Sequence, residues 1–184
     1  MHEEQFARAR FFVIKSRWAE NVLQAITHEV WCSTVNGNAV LDAAFRQTHR
    51  ERNLRPVEED VNVKGEVEIS FEEVRKSSSK KSEHADGHVY LFFSVNGSRQ
   101  FCGIAEMIGP VEKNRSACVW QDSFKFKDSF PIRWLYIKDV ENTLCNHLLL
   151  PEHDNRPITF LRDAAEIVSR AKAIELFRIF HNHP

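Results

Sequence analysis

FFVIKSRWAENVLQAITHEVWCST, residues 11–34, is the stretch that decides how this chain folds. It is entered through ARFFVI, residues 9–14, whose aromatic and β-branched side chains predict a short buried strand. Lys15 and Ser16 end the apolar run, and the period then changes. Val22, Leu23, Ile26 and Val30 recur at helical spacing, which predicts an amphipathic helix over residues 18–28 with Ser16 as its N-cap. Beyond it Trp31 stands beside Cys32. Tryptophan is large and seldom fully enclosed, so Trp31 is either a plug in the core or a platform for something flat.

Working outward, NGNAVLDAAFRQTH from Asn36 reads as a turn and a short helix carrying Leu41, Ala44 and Phe45 inward. Residues 46–87 are a charged insertion. Within it GEVEISFEEV alternates enough for an edge strand, and residues 76–87, with almost no apolar side chain, are expected to be disordered. Val89–Val95 and Phe101–Met107 form a strand pair joined by Asn96, Gly97 and Ser98. IRWLYIKDV, from Ile132, is a further strand, with Trp134 as a structural residue. DAAEIVSRAKAIELFRIF closes the chain as a helix, with Asp163 and Glu166 at capping-box spacing and Ile167, Ala171, Ile174 and Phe177 on one face. Strands in the middle and helices at both ends give an α+β class. The whole, residues 1–184, reads as one domain.

Composition narrows the function. With 184 residues and 42% hydrophobic content the chain can bury one sizeable core, and its net charge of -1 argues against a protein that is basic all over, though not against a local basic groove. Cys32, Cys102, Cys118 and Cys145 form no CxxC pair, so they are read as reduced, mostly buried thiols rather than a zinc ribbon or a disulfide framework. His181 and His183 lack a third ligand and read as a frayed tail, so neither metal nor cofactor is expected. Cys32 and His28 could be taken for a nucleophile and base, yet no oxyanion or orienting partner can be named, so the chain is not read as an enzyme. No apolar run approaches the length needed to cross a bilayer, and MHEEQFARAR lacks the hydrophobic centre of a signal peptide. The expected setting is intracellular, without a membrane partner. Fourteen phenylalanines and four tryptophans are the informative excess.

FFVIKS, WCST, LDAAF, YLFFSVNGS, FCGIAEM, SACVW and NRPITFLRD, in that order, resemble the YTH domain, the reader module for N6-methyladenosine in RNA. The resemblance runs from about Phe11 to Phe180 and is closest to the cytoplasmic class of the family. It implies an open, PUA-like, six-stranded β-barrel packed by helices. It implies single-stranded RNA as partner, a cytoplasmic location with the nucleus as a second one, and a role in mRNA regulation; effector proteins are not specified.

The resemblance also implies a site. An aromatic cage for the methylated base would comprise Trp31, Trp120 and a third wall at Phe126, eight residues before Trp134, with Phe124 as the alternative because QDSFKF is one residue longer than the family pattern. The base edge would be read by the backbone carbonyl of Cys32, the backbone amide of Arg17 and the side chain of Asn21. Arg17 stands where the cytoplasmic class has tyrosine, and Asn21 where it has aspartate; an amide donates directly to ring N1, which an ionised carboxylate cannot do. Lys15, Ser16, Asn96 and Arg162 would meet the nucleotide and its phosphates. A basic residue usual before LDAAF is Val40 here, so Lys125 and Lys127 are candidates to supply the missing charge. A second reading keeps the fold but has the module bind unmethylated, sequence-defined RNA through another surface.

Overall fold

The computed structural model describes residues 6–53, 87–114 and 127–184. Strand β1 (Arg10–Ser16) leads into helix α1 (Ala19–His28) and the two-residue strand β2 (Val30–Trp31), followed by α2 (Val35–Asn53). Strands β3 (Val89–Val95), β4 (Gln100–Met107) and β5 (Phe130–Glu141) come next. Short strands β6 (Leu149–Leu150), β7 (Arg156–Pro157) and β8 (Ala165–Glu166) precede the closing helix α3 (Arg170–Asn182).

Six strands form one open sheet in the order β2-β5-β4-β3-β1-β8, and β6 pairs with β7 apart from it. Neighbours in the large sheet run antiparallel except β1 and β3, which are parallel and in register from Arg10 opposite Val89 to Ser16 opposite Val95. Both of those strands are buried nearly end to end, as expected for strands covered on both faces. Alternation sends Phe11, Val13, Tyr90 and Phe92 to one face, where Leu176, Phe177 and Phe180 of α3 cover them. Phe12, Ile14, Leu91 and Phe93 point to the other, under Val22 and Ala25 of α1 and Leu41, Ala44 and Phe45 of α2. Two aromatic-rich cores on one sheet account for much of the phenylalanine excess.

Several expectations need correction. The Asn36-Gly37 turn is instead the first turn of α2: the Gly37 amide donates to Thr34 Oγ1 at 3.1 Å and the Asn38 amide to the Thr34 carbonyl at 2.8 Å, so Thr34 starts the helix earlier than the turn residues suggest. The helix continues to Asn53, which takes the first residues of the 46–87 insertion into regular structure. The expected edge strand in GEVEISFEEV lies outside the described residues. Leu23, 61% exposed, does not join the buried stripe of α1, which is made by Val22 and Ala25. Ser16 does not cap α1. Its hydroxyl donates to the Trp18 carbonyl at 2.7 Å and accepts from the Trp18 amide at 3.3 Å, and Trp18 occupies the cap position.

The closing helix begins seven residues later than the spacing predicts. Asp163 and Glu166 do not form a capping box, because both carboxylates have tertiary partners. Glu166 takes the Arg10 guanidinium with two contacts of 2.7 Å while its backbone pairs with β1, and Ala171, expected inward, is exposed. At the other end α3 runs to Asn182 rather than fraying, and the His181 ring nitrogen sits 3.0 Å from the Tyr136 hydroxyl. Cys32 and Cys145 are buried; burial pushes the Cys145 thiol up to about 11 and the half-buried Cys102 up to about 12, which keeps both protonated. Trp134 is structural, its indole donating to the Ala25 carbonyl at 3.1 Å. No helix among the described residues is long and apolar enough to cross a membrane.

Candidate nucleic-acid interface

The parallel pairing of β1 and β3 has a local consequence. Their ends leave the sheet side by side, so Lys15, Ser16 and Arg17 lie next to the Asn96–Arg99 turn, and the Asn96 amide donates to the Ser16 carbonyl at 2.8 Å. Gly97 carries the turn at φ +80, where glycine has no steric penalty. Asn96 and Arg17 are exposed, and the Arg17 guanidinium lies 5.2 Å from the centre of the Trp18 ring.

Asp163 ties this end of β1 to the chain after β2. Its Oδ1 accepts the Lys15 amide at 2.9 Å and its Oδ2 the Ser33 hydroxyl at 3.1 Å. The Ser33 amide donates in turn to Asn38 Oδ1 at 3.0 Å, and Asn38 Nδ2 donates to the Asp128 carbonyl at 3.0 Å. Gly37 permits this: a Cβ there would lie 2.0 Å from Ser33 Oγ. These bonds hold Trp31, Cys32 and Ser33 between β1, α2 and the chain entering β5. Burial raises the Asp163 carboxyl above its ordinary pKa, against the hydrogen bonds from Lys15, Ser33 and Ala164.

Trp31 is 4% exposed, with its ring edge-on to Phe93 at 5.0 Å and 88°. Phe93 also leans on Trp134 at 4.7 Å. Cys32 is buried beside it while His28 is exposed in the last turn of α1, so a thiol-and-base pair has no exposed nucleophile. Asn21, in the first turn of α1, is 8% exposed, and its Oδ1 is buried with no hydrogen-bond partner among the described residues.

The phosphate candidates differ from one another. Arg162 is exposed next to Asp163. Lys15 is half-buried: its ammonium donates to Ser94 Oγ at 3.3 Å and to the Thr159 carbonyl at 3.2 Å, and burial lowers its pKa from the ordinary value. Its charge is thus partly committed within the fold. Lys127 is exposed, while Trp120, Phe126, Phe124, Lys125 and Cys118 lie outside the described residues.

Comparison with known proteins fits this arrangement. The model of the YTH family, the YT521-B-like domain, matches residues 9–57 and 66–181. The chain belongs to the YTH family. YTH domain-containing protein ECT4 of Arabidopsis thaliana is 35% identical over 179 residues, covering 97% of this chain and 24% of the relative. YTH domain-containing family protein 1 of Mus musculus is 37% identical over 166 residues, 90% of this chain and 23% of the relative. The chain therefore spans about a quarter of the length of the curated relatives it matches. Among solved structures, the YTH domain of Zygosaccharomyces rouxii MRB1 in complex with N6-methyladenosine RNA superposes with a TM-score of 0.68 at 27% identity, over 95% of this chain and 88% of that one. The Pho92 YTH domain in complex with m6A gives 0.69 at 26% identity, over 96% and 89%. The expected α+β class and open six-stranded sheet packed by helices are those of the YTH fold.

Asp163, Ser33 and Asn38 are the residues that sequence reasoning missed. Asp163 was assigned to a helix cap by its spacing to Glu166. The usable signal is its place at the end of NRPITFLRD, beside Arg162.

Proposed function

We propose that this YTH domain reads N6-methyladenosine in single-stranded RNA, acting as a binding module without chemistry of its own, in the cytoplasm and on mRNA. The observation that carries the proposal is the superposition, over nearly the whole chain, on two YTH domains bound to this modified nucleotide. The physics agrees. Stacking on an aromatic ring contributes about 1–3 kcal/mol irrespective of sequence, so discrimination has to come from the methyl group. Burying a group of that size in an apolar cage contributes roughly 0.8 kcal/mol, and an unmethylated amine facing ring carbon adds the cost of an unsatisfied donor.

In this reading Trp31, Trp120 and Phe126, or Phe124 in its place, enclose the base. With Trp31 only 4% exposed, its ring is not an open shelf, and the base reaches it only by displacing what covers it. The Cys32 carbonyl accepts the remaining N6 hydrogen, the Arg17 amide meets ring N3, and Asn21 meets ring N1. Asn96, Arg162 and, more weakly, Lys15 and Ser16 hold the sugar-phosphate backbone, since Lys15 already serves Thr159 and Ser94 and the buried Ser16 hydroxyl serves Trp18.

Asn21 offers the sharpest test of the base edge. Its buried Oδ1 leaves Nδ2 as the group that donates to the ring. Asn21→Leu is expected to weaken methylated-RNA binding by about 1–3 kcal/mol at every pH. Asn21→Asp is expected to lose less, with the loss easing as the pH falls toward the carboxyl pKa, because a protonated carboxyl can donate where a carboxylate cannot. Titrations of both variants at several pH values read this directly; leucine binding as well as wild type removes Asn21 from the base edge.

A further inference from the structure

Phe160 is the most exposed of the described aromatic residues in this region, at 71%, although its neighbours Ile158 and Thr159 are buried. It sits in a short 3-10 turn, Ile158–Phe160, as the wall shared by two grooves. On one side Phe160 is flanked by the exposed cations Arg156 and Arg162, with Asp154 as the carboxylate among the groove's lining residues. On the other is a wider groove of about 670 Å³, within the roughly 300–1,000 Å³ of small-ligand clefts. Asn142, Asn146 and Arg99 line it. The buried Oδ1 of Asn142 has no partner among the described residues.

These grooves adjoin the candidate base site through the backbone. Thr159, which precedes Phe160, gives its carbonyl to the Lys15 ammonium at 3.2 Å, and Arg162 follows two residues later. The wider groove also reaches Ser98 and Gln100, beside the turn that carries Asn96. An exposed ring between arginines, continuous with a phosphate-binding edge, matches what unpaired nucleic acid requires: a face for a base and cations for the backbone.

We infer that Phe160 is a stacking platform for a nucleotide flanking the modified one, with its base in the groove of Asn142 and Asn146 and the backbone passing over Arg156 and Arg162. The inference rests on the RNA-binding reading above and extends it from one nucleotide to the strand. A base lying on the Phe160 face brings its polar edge toward amide side chains that can donate through Nδ2, Asn146 Oδ1 being taken by the Thr159 hydroxyl at 3.1 Å and Asn142 Oδ1 being buried. Arg156 and Arg162 take the negative charge. The contact adds affinity for any RNA long enough to reach the ring, and adds none for the isolated methylated nucleotide.

The test compares wild type, Phe160→Ala, Phe160→Leu and Phe160→Trp against N6-methyladenosine 5′-monophosphate and two methylated oligomers, one extended only toward the 5′ end and one only toward the 3′ end. The exposed position lets all four proteins fold alike, which circular dichroism checks. Phe160→Ala and Phe160→Leu are expected to lose about 5- to 100-fold in affinity for one of the extended oligomers. Phe160→Trp retains it, because the effect follows the ring face rather than apolar bulk. Affinity for the isolated methylated nucleotide and the ratio of methylated to unmethylated binding stay at wild-type values in every variant. Wild-type affinity of Phe160→Ala for both extended oligomers overturns the inference and points to a protein partner for this patch. Failure of the wild type to distinguish methylated RNA defeats the methyl-base reading alone, since the loss on extended oligomers is read separately.

Discussion

Trp31→Ala is expected to lose both stability and methylated-RNA binding, and the two losses are separable. Removing a buried tryptophan that packs edge-on to Phe93 leaves a cavity costing about 3–5 kcal/mol. Domains of this size are stable by roughly 5–15 kcal/mol, so the variant remains mostly folded at low temperature. Binding measured there should fall by a further 1–3 kcal/mol or so, the contribution of stacking. Trp31→Phe, which keeps a ring at this position, should recover most of the stability and part of the affinity. Denaturant unfolding and RNA titration on both variants separate the effects. If Trp31→Ala, measured where it is folded, binds methylated RNA with undiminished affinity and preference over unmethylated RNA, Trp31 is a core residue and nothing more.

Asp163 carries the second large effect. In Asp163→Leu the Lys15 amide and the Ser33 hydroxyl lose their acceptor together, and at about 1–3 kcal/mol for each orphaned donor the expected loss is about 2–6 kcal/mol. Because Asp163 fastens the end of β1 to the chain carrying Trp31 and Cys32, RNA binding should fall as well, even where the variant is folded. Asp163→Asn keeps an oxygen for Lys15 and an amide that can donate to Ser33, so its loss should be small. The pH dependence distinguishes the two states of the carboxyl. Burial raises the folded pKa above the ordinary 3.8, so this group's stabilising contribution is fully present below that value and is lost as the pH rises through the raised pKa. Denaturant titrations of wild type and Asp163→Asn from about pH 3 upward should show that slope in wild type only; an identical slope in both assigns it elsewhere.

These two residues also mark how far the sequence could be read. The strand and helix leading to Trp31 were legible because hydrophobic period and apolar runs are local signals, and the ordered motifs pointed to the fold and to the candidate cage; the two-residue strand β2 was not, since Val30 also fits the helical spacing. Asp163 and Glu166 were misread for a physical reason. A capping box and a pair of carboxylates bonded to a distant strand have the same spacing, and only the presence of Arg10, Lys15 and Ser33 across the fold decides between them. The parallel register that sets Asn96 against Ser16 was not legible either, because α1, β2 and α2 intervene between β1 and β3. Nor could the sequence separate Thr34 as a helix start from a turn at Asn36-Gly37, since both patterns use the same small polar residues. Phe160 escaped notice because in NRPITFLRD it looks like one more core phenylalanine; its 71% exposure follows from the 3-10 turn that points Ile158 inward and leaves it outside.

The most direct test of methyl-base reading is a calorimetric titration of the wild-type domain with two RNA oligomers identical except for one N6-methyl group on a central adenosine. The methylated oligomer is expected to bind on the order of 10- to 100-fold more tightly, the combined effect of a buried methyl and an avoided unsatisfied donor at 1.4 kcal/mol per decade. Equal affinity for the two oligomers would contradict it.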